Sequence, residues 1–215
     1  MITNPPITIG MPVYNGSDYI REAIDSLMQQ TFGDFELIIS DNASTDDTQS
    51  ICEQYACNDS RITYIRQSKN LGALANFKFV LDSAKSEYFM WAAADDKWDK
   101  TWIEDVYKEI KSKPSMAGFG QLEHIDSNST KLNHVANGRN LSFEGPVIWR
   151  KTFFYLAYEG LGKANLFYAL YPRDLLKNIN WDVKWQDYQI LFSELEYLGY
   201  TQISTAKLYK RIHNS

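Results

Sequence analysis

The chain has 215 residues, 44% of them hydrophobic and 14% aromatic, and a formal net charge of −5. That length suits one α/β domain burying roughly 70% of its unfolded surface, and the negative charge excludes a nucleic-acid backbone as partner. No apolar run approaches the ~20 residues of a membrane span, which leaves peripheral association as the form any membrane contact would take, and residues 1–6 lack the basic-then-apolar pattern of a signal peptide.

Ile7 to Pro12 (ITIGMP) reads as a buried first strand closed by Pro12. Val13 to Gly16 is a turn, and Ser17 is the expected N-cap of a helix whose apolar face is Tyr19, Ile20, Ala23, Ile24, Leu27 and Met28. Phe35 to Ser40 (FELIIS) is a second strand ending on Asp41, and Ser44-Thr45-Asp46-Asp47 starts the next helix. Cys52 and Cys57 lie five apart in that helix with no Cys or His partner nearby, which predicts reduced, structural thiols in a cytoplasmic protein. Ile62 to Ile65 is a third strand, and Ala73, Phe77, Val80, Leu81 and Ala84 carry a third helix back to a strand at Tyr88 to Trp91. Four alternations of strand and helix within about 95 residues predict a mainly parallel sheet with helices on both faces.

The fourth strand runs through FMWAAADDKW and stops on adjacent carboxylates, Asp95 and Asp96. Paired acids repel, which is tolerable in solvent or around a divalent cation and costly in a dry core. In open α/β sheets ligands bind at the carboxyl edge of the strands, and both Asp41 and Asp95 fall there. Mg²⁺ and Mn²⁺ favour oxygen ligands, commonly one or two carboxylates completed by phosphates. His124, His134 and His213 are scattered and draw no zinc pattern.

A helix with Trp102, Ile103, Val106, Tyr107 and Ile110 on one face follows, then a strand from Met116 to Leu122. Glu123 to Gly145 reads as loop or weak strand, Val147 to Tyr158 as strand into helix, and Asn165 to Tyr171 as strand. Arg173 begins a short helix, Gln186-Asp187-Tyr188 opens another that ends at Gly199, and Thr201 to Tyr209 leads into the tail.

Four stretches of this sequence resemble glycosyltransferase family 2, the inverting nucleotide-sugar transferases of GT-A fold. They are ITIGMPVYNGSDYIREAIDSLMQQTF, FELIISDNASTDDT, NLGALANFKFVLDSAKSEYFMWAAADD, and WQDYQILFSELEYLGY followed by LYKRIH. The resemblance implies one glycosyltransferase domain over 1–215, with a nucleotide-sugar half at 1–122 and an acceptor half at 123–215. It implies that Pro12 and Tyr14 pack against a nucleotide base, that Asp41 accepts a hydrogen bond from the base, and that Asp95 faces the ribose. Asp96 is the implied metal ligand for Mn²⁺ or Mg²⁺, His213 reaches the metal or the diphosphate, and Asp187 is the general base. The implied partners are a nucleotide-sugar donor, with uridine favoured, and a carbohydrate or glycan acceptor.

Two departures stand out. Asn42 replaces the second acid that many members carry after Asp41, and Ala94 precedes the acidic pair. The chain also stops just past the tail motif, where many members continue, so the acceptor half is expected to be compact or trimmed. Each singled-out residue has an ordinary reading as well: Asp187 as a helix N-terminal acid, Asp41 as a turn former, the Asp95-Asp96 pair as a cap for the helix near Thr101, Tyr14 as packing, His213 as an exposed histidine. Two competing functions remain at this stage. A sugar-nucleotide-forming nucleotidyltransferase needs a basic, Gly-rich loop after the first strand, and Pro12 to Gly16 has no basic residue. A non-catalytic nucleotide-sugar-binding module needs no acids at Asp95, Asp96 and Asp187.

Overall fold

Gly10 to Trp91 and Gly10 to Ile38 are neighbours across two ladders, which places the first strand at the centre of a five-stranded sheet. The computed structural model describes residues 4–179, 181 and 187–213, with residues 178 and 187–189 described by backbone only. The central sheet comprises β1 (Ile7–Val13), β2 (Phe35–Asp41), β3 (Ile62–Arg66), β4 (Tyr88–Trp91) and β7 (Tyr171–Pro172), in the order β3-β2-β1-β4-β7. The first four run parallel and β7 is antiparallel to β4. The apolar runs read from the sequence become strands because both faces are covered: all seven residues of β1 and all four of β4 are buried.

The intervening helices use their periodic faces. α1 (Ile20–Met28) buries Ile20, Ala23, Ile24 and Leu27, and α2 (Thr48–Asn58) buries Thr48, Ile51 and Cys52. Both cysteines are free, Cys52 buried and Cys57 exposed. α3 (Ala73–Ser83) lies over β1 and β2, and a Cβ on Gly10 would sit 2.8 Å from Val80 and Phe89 side-chain atoms, so the glycine permits that close approach. Asn76 of α3 donates to the Ser40 carbonyl at 2.9 Å and accepts from the Ser40 hydroxyl at 2.6 Å.

From β1 the chain moves to β2 on one side, and after β3 it returns to β4 on the other. The strand order therefore reverses between β1 and β4, and the crevice beyond their carboxyl ends is the topological switch point.

A second sheet, β5-β8-β6, consists of β5 (Lys97–Trp98), β6 (Met116–Ile125) and β8 (Gly199–Arg211). β6 is the longer form of the expected strand. β8 pairs parallel with it, with a register irregularity between Phe119 and Gln121. A Cβ on Gly120 there would lie 2.5 Å from the Ala206 carbonyl oxygen, which is why a glycine occupies the bulge. α4 (Trp102–Ile110) packs on both long strands through Trp102, Ile103, Val106 and Ile110.

Three local expectations change. The helix after the first turn starts at Ile20, with Tyr19 rather than Ser17 at its N-cap and no side-chain cap bond, and the Ser17 amide is bonded to Asp46 of the next loop at 3.0 Å. Lys163–Tyr168 is 3-10 helix and only Tyr171–Pro172 is strand, paired with Phe89 and Tyr88 of β4. Val147–Leu156 is entirely helix, α5, in spite of its aromatic, β-prone composition. Its Trp149 and Phe153 rings stack at 5.8 Å, an i,i+4 contact available only to a helix.

α6 (Asp187–Glu194) is fastened to the core by a buried acid. Glu194 accepts from the Tyr200 hydroxyl at 2.6 Å, and Tyr200 lies 3.2 Å from the Tyr171 hydroxyl. Among the described residues the other Glu194 oxygen has no hydrogen-bond partner, and burial pushes the carboxyl up to about 7, against the lowering effects of Tyr200 and Tyr171. The folded state thus holds a proton that the unfolded chain, near 4.5, gives up. The resulting stabilisation is complete below about 4.5 and is lost as pH rises through about 7. Glu194→Gln is expected to remove that dependence, making the variant the more stable protein at pH 8 by up to about 3 kcal/mol. Urea unfolding of both proteins from pH 4.5 to 8 checks this, and parallel pH profiles would refute it.

Candidate active site

A cavity of about 520 Å³ opens at the switch point. Pro12 at the end of β1 and Tyr14 and Gly16 of the turn after it form one wall, Ala94 and Asp95 after β4 form another, and Lys210 and His213 at the end of β8 close it beside Tyr168.

The turn after β1 is held from outside by the acidic loop after β2. Asn15 adopts a left-handed φ of 51°, its amide donates to Ser44 Oγ at 2.8 Å, and its side-chain oxygen accepts from the Thr45 amide at 2.8 Å. The Gly16 amide donates to Thr48 Oγ1 at 2.8 Å. Asp46 accepts from the amides of Ser17 and Thr48, both at 3.0 Å. Partial burial would raise its pKa, but those bonds outweigh it and bring the carboxyl down to about 2.

Asp41 anchors that loop. It is fully buried, accepts from the Ser44 amide at 2.8 Å and the Tyr64 hydroxyl at 2.8 Å, and pairs with Arg66 at 2.5 Å. Burial opposes ionisation, yet these donors hold its pKa below the usual carboxylate value. The expectation of a direct bond from Asp41 to a base meets a carboxylate that lies outside the cavity wall with its oxygens already engaged.

The two adjacent acids after β4 have opposite surroundings. Asp95 lines the cavity, and its Oδ2 lies 2.7 Å from His213 Nε2, from a residue 118 positions away. Asp96 is fully buried, with Oδ2 3.0 Å from Lys210 Nζ and Oδ1 accepting from the Arg211 amide at 2.9 Å. The chain turns at Ala94 and Asp95, where the Asp96 amide reaches back to the Ala93 carbonyl at 3.4 Å, and this leaves Asp95 toward the cavity and Asp96 toward β8. Of the two acids expected to face the ribose and the metal, Asp95 thus lies on the cavity wall beside His213, and Asp96 lies behind it against the tail strand. Burial, reinforced by Asp95, pushes Asp96 up to about 6 against Lys210.

Arg211 fixes the tail itself. Its buried guanidinium donates to the Asp95 carbonyl at 2.9 Å and the Asp126 carbonyl at 2.7 Å, pairs with Glu22, and lies 4.3 Å over the Tyr19 ring. The Tyr19 ring also meets His213 at 5.4 Å. Four of the residues singled out in the sequence, Pro12, Tyr14, Asp95 and His213, thus share one cavity; Asp41 and Asp96 support it from behind. Asp187 opens α6, and its side chain lies outside the described residues. Sequence reasoning missed Lys210 and Tyr168 as cavity residues. The basic pair Lys210-Arg211 in the tail was the available signal for the first; none existed for the second.

Residues 8–179 match the family profile described as glycosyl transferase family 2. The chain belongs to that family. Among family relatives, it is 25% identical over 138 residues to glycosyltransferase GlyG of Streptococcus pneumoniae, covering 64% of this chain and 46% of that protein. It is 35% identical over 129 residues to the putative teichuronic acid biosynthesis glycosyltransferase TuaG of Bacillus subtilis, covering 60% and 51%. The chain therefore spans about half the length of these family 2 relatives. The crystal structure of S. aureus TarS 1–349 in complex with UDP-GlcNAc superposes with a TM-score of 0.74 at 20% identity, covering 97% of this chain and 59% of that one, which establishes the GT-A fold. Among the described residues no helix is long and apolar enough to cross a membrane.

Proposed function

We propose that this chain is the catalytic part of an inverting glycosyltransferase that moves a sugar from a uridine diphosphate donor to a hydroxyl of a carbohydrate acceptor. The observation that carries the reading is the meeting of Asp95 and His213 at the switch-point cavity, beside Lys210 and the Pro12–Gly16 turn. Family membership and the UDP and UDP-GlcNAc complexes of TarS, a protein of the same fold, support the nucleotide-sugar class of donor.

In this reading Tyr14, half exposed on the cavity wall, packs on the base. Asp41 shapes the base end through Ser44, Tyr64 and Arg66. The Asp95 carboxylate oxygen is a donor that suits Mn²⁺ or Mg²⁺, and the His213 imidazole nitrogen, a softer donor, favours Mn²⁺ of the two. No group of three or more such side chains exists among the described residues, so donor phosphate oxygens would complete the shell. The ion so held would supply Lewis-acid neutralisation of the leaving diphosphate. Asp187 accepts the proton of the acceptor hydroxyl, an alcohol being a poor nucleophile near pH 7. Attack opposite the diphosphate inverts the anomeric carbon, and no covalent enzyme intermediate is needed.

The competing nucleotidyltransferase reading lacks support in the cavity, whose turn after β1 carries no basic residue. Thermal-shift titrations with UDP, GDP, dTDP and CDP, with and without Mn²⁺, test the proposal. UDP is expected to raise Tm most, and more with Mn²⁺ than without. A protein whose Tm responds to none of the four would refute it.

A further inference from the structure

We infer that the outward face of α5 docks a second copy of this chain about a two-fold axis, a property separate from the sugar-transfer chemistry proposed above.

Of the ten residues of α5 only Phe154 is buried. At about 100° per residue, Arg150, Lys151 and Phe154 fall on one side of the helix, and Ile148, Trp149, Thr152, Phe153, Tyr155 and Leu156 fall on the other. The first side is occupied. Arg150 donates to the Leu195 carbonyl at 2.9 Å, Lys151 pairs with Glu196, and the Phe154 ring meets that of Phe143 at 5.3 Å. The second side faces water: Ile148 and Leu156 are each 70% exposed, Tyr155 77%, and Trp149 and Phe153 54%. Tyr158, 70% exposed, extends this surface just past the helix end.

A surface helix ordinarily turns its charge to solvent and its apolar stripe to the core. α5 does the reverse, spending both of its cations on the protein and leaving an uncharged face outside. Four aromatic side chains with about 150–250 Å² each to bury, plus Ile148 and Leu156, leave on the order of 700 Å² uncovered at these exposures. The largest apolar patch of a typical monomer is about 300–600 Å², whereas a standard interface covers about 800 Å² on each partner. The face is therefore of the size a stable dimer needs. Its Trp149 and Phe153 rings are already stacked at 5.8 Å, so little side-chain freedom is lost when they are covered.

Charge selects the occupant. Each copy carries −5, so two copies approach best through a surface that bears no charge, and a two-fold contact uses the same patch twice. A bilayer surface would instead call for spare cations around the helix. Here Arg150 and Lys151 are engaged with α6 and the residues after it, and Glu144 and Glu159 bracket α5 in the chain.

Sedimentation equilibrium of the chain at micromolar concentrations tests this. The weight-average mass is expected to rise with concentration toward twice that of the chain. Trp149→Glu combined with Leu156→Glu sets like charges face to face and removes an aromatic anchor, which should raise the dimer dissociation constant at least about 30-fold. Both side chains are exposed, so the variant should keep the circular dichroism of the folded protein. Val135→Glu, at an exposed apolar residue outside α5, should leave the dimer intact. A wild-type chain that stays monomeric, or a dimer undiminished in the folded double variant, would overturn the inference. So would a monomer that co-sediments with phosphatidylcholine or phosphatidylserine vesicles through α5, a result that assigns the face to a bilayer.

Discussion

Asp187→Asn is expected to lower single-turnover sugar transfer by about 10²–10⁴-fold, the range typical of a positioned acid–base group, while leaving UDP affinity unchanged. Asparagine keeps the size and polarity of aspartate but cannot take the acceptor proton. Asp187 begins α6, and the other end of that helix is anchored by Glu194 to Tyr200, in the half of the chain away from the base-side turn and loop. An acid in the first turn of a helix also interacts with the macrodipole, and that role alone predicts a different result: a loss of a few tenths of a kcal/mol in stability and no change in rate. Measuring donor affinity, unfolding free energy and single-turnover rate on one preparation separates the two. Undiminished turnover would remove Asp187 from the chemistry.

The second large effect divides Asp95 from Asp96. Asp95 is partly exposed, and among the described residues the hydrogen-bond partner of its side chain is His213. Asp95→Ala should therefore unfold at nearly the wild-type denaturant concentration and lose the Mn²⁺-dependent part of UDP binding. Asp96→Ala should behave in the opposite sense. It leaves the Lys210 ammonium, 23% exposed on the cavity wall, without its carboxylate and frees the Arg211 amide; breaking one side of a fully buried pair costs about 3–5 kcal/mol, which is the upper bound here. The midpoint of urea unfolding should fall accordingly, and the tail strand should loosen with it. A stable Asp96→Ala protein that has lost Mn²⁺ dependence would return the metal to Asp96.

These two acids illustrate where sequence reasoning reaches its limit. The run from Phe89 into Asp95-Asp96 identifies a strand ending on charge, and neighbouring positions cannot be told apart by composition. Which acid faces the cavity depends on β8, which pairs with β5 and β6 and comes from more than 100 residues later. Asp41 is similar. Its place at the end of β2 follows from the hydrophobic pattern, but its engagement by Tyr64 and Arg66 depends on β3 lying alongside β2, a non-local pairing.

What the sequence by itself determined is the part governed by local periodicity. Alternating apolar runs and helical faces from Ile7 to Ile110 dictate β1 to β4 and α1 to α4, because buried strands and amphipathic helices each satisfy their own backbone bonds and leave one pattern exposed. Short connections between them then force the parallel order and so the switch-point crevice. The tertiary structure alone decided the rest. It made β8 the centre of a second sheet, gave Lys163–Tyr168 a 3-10 form, and brought His213 and Lys210 to Asp95 and Asp96. Those contacts span over 110 residues of chain, and no local preference encodes a partner that far away: only the shared burial of β6 and β8 and the charge of Asp96 select it.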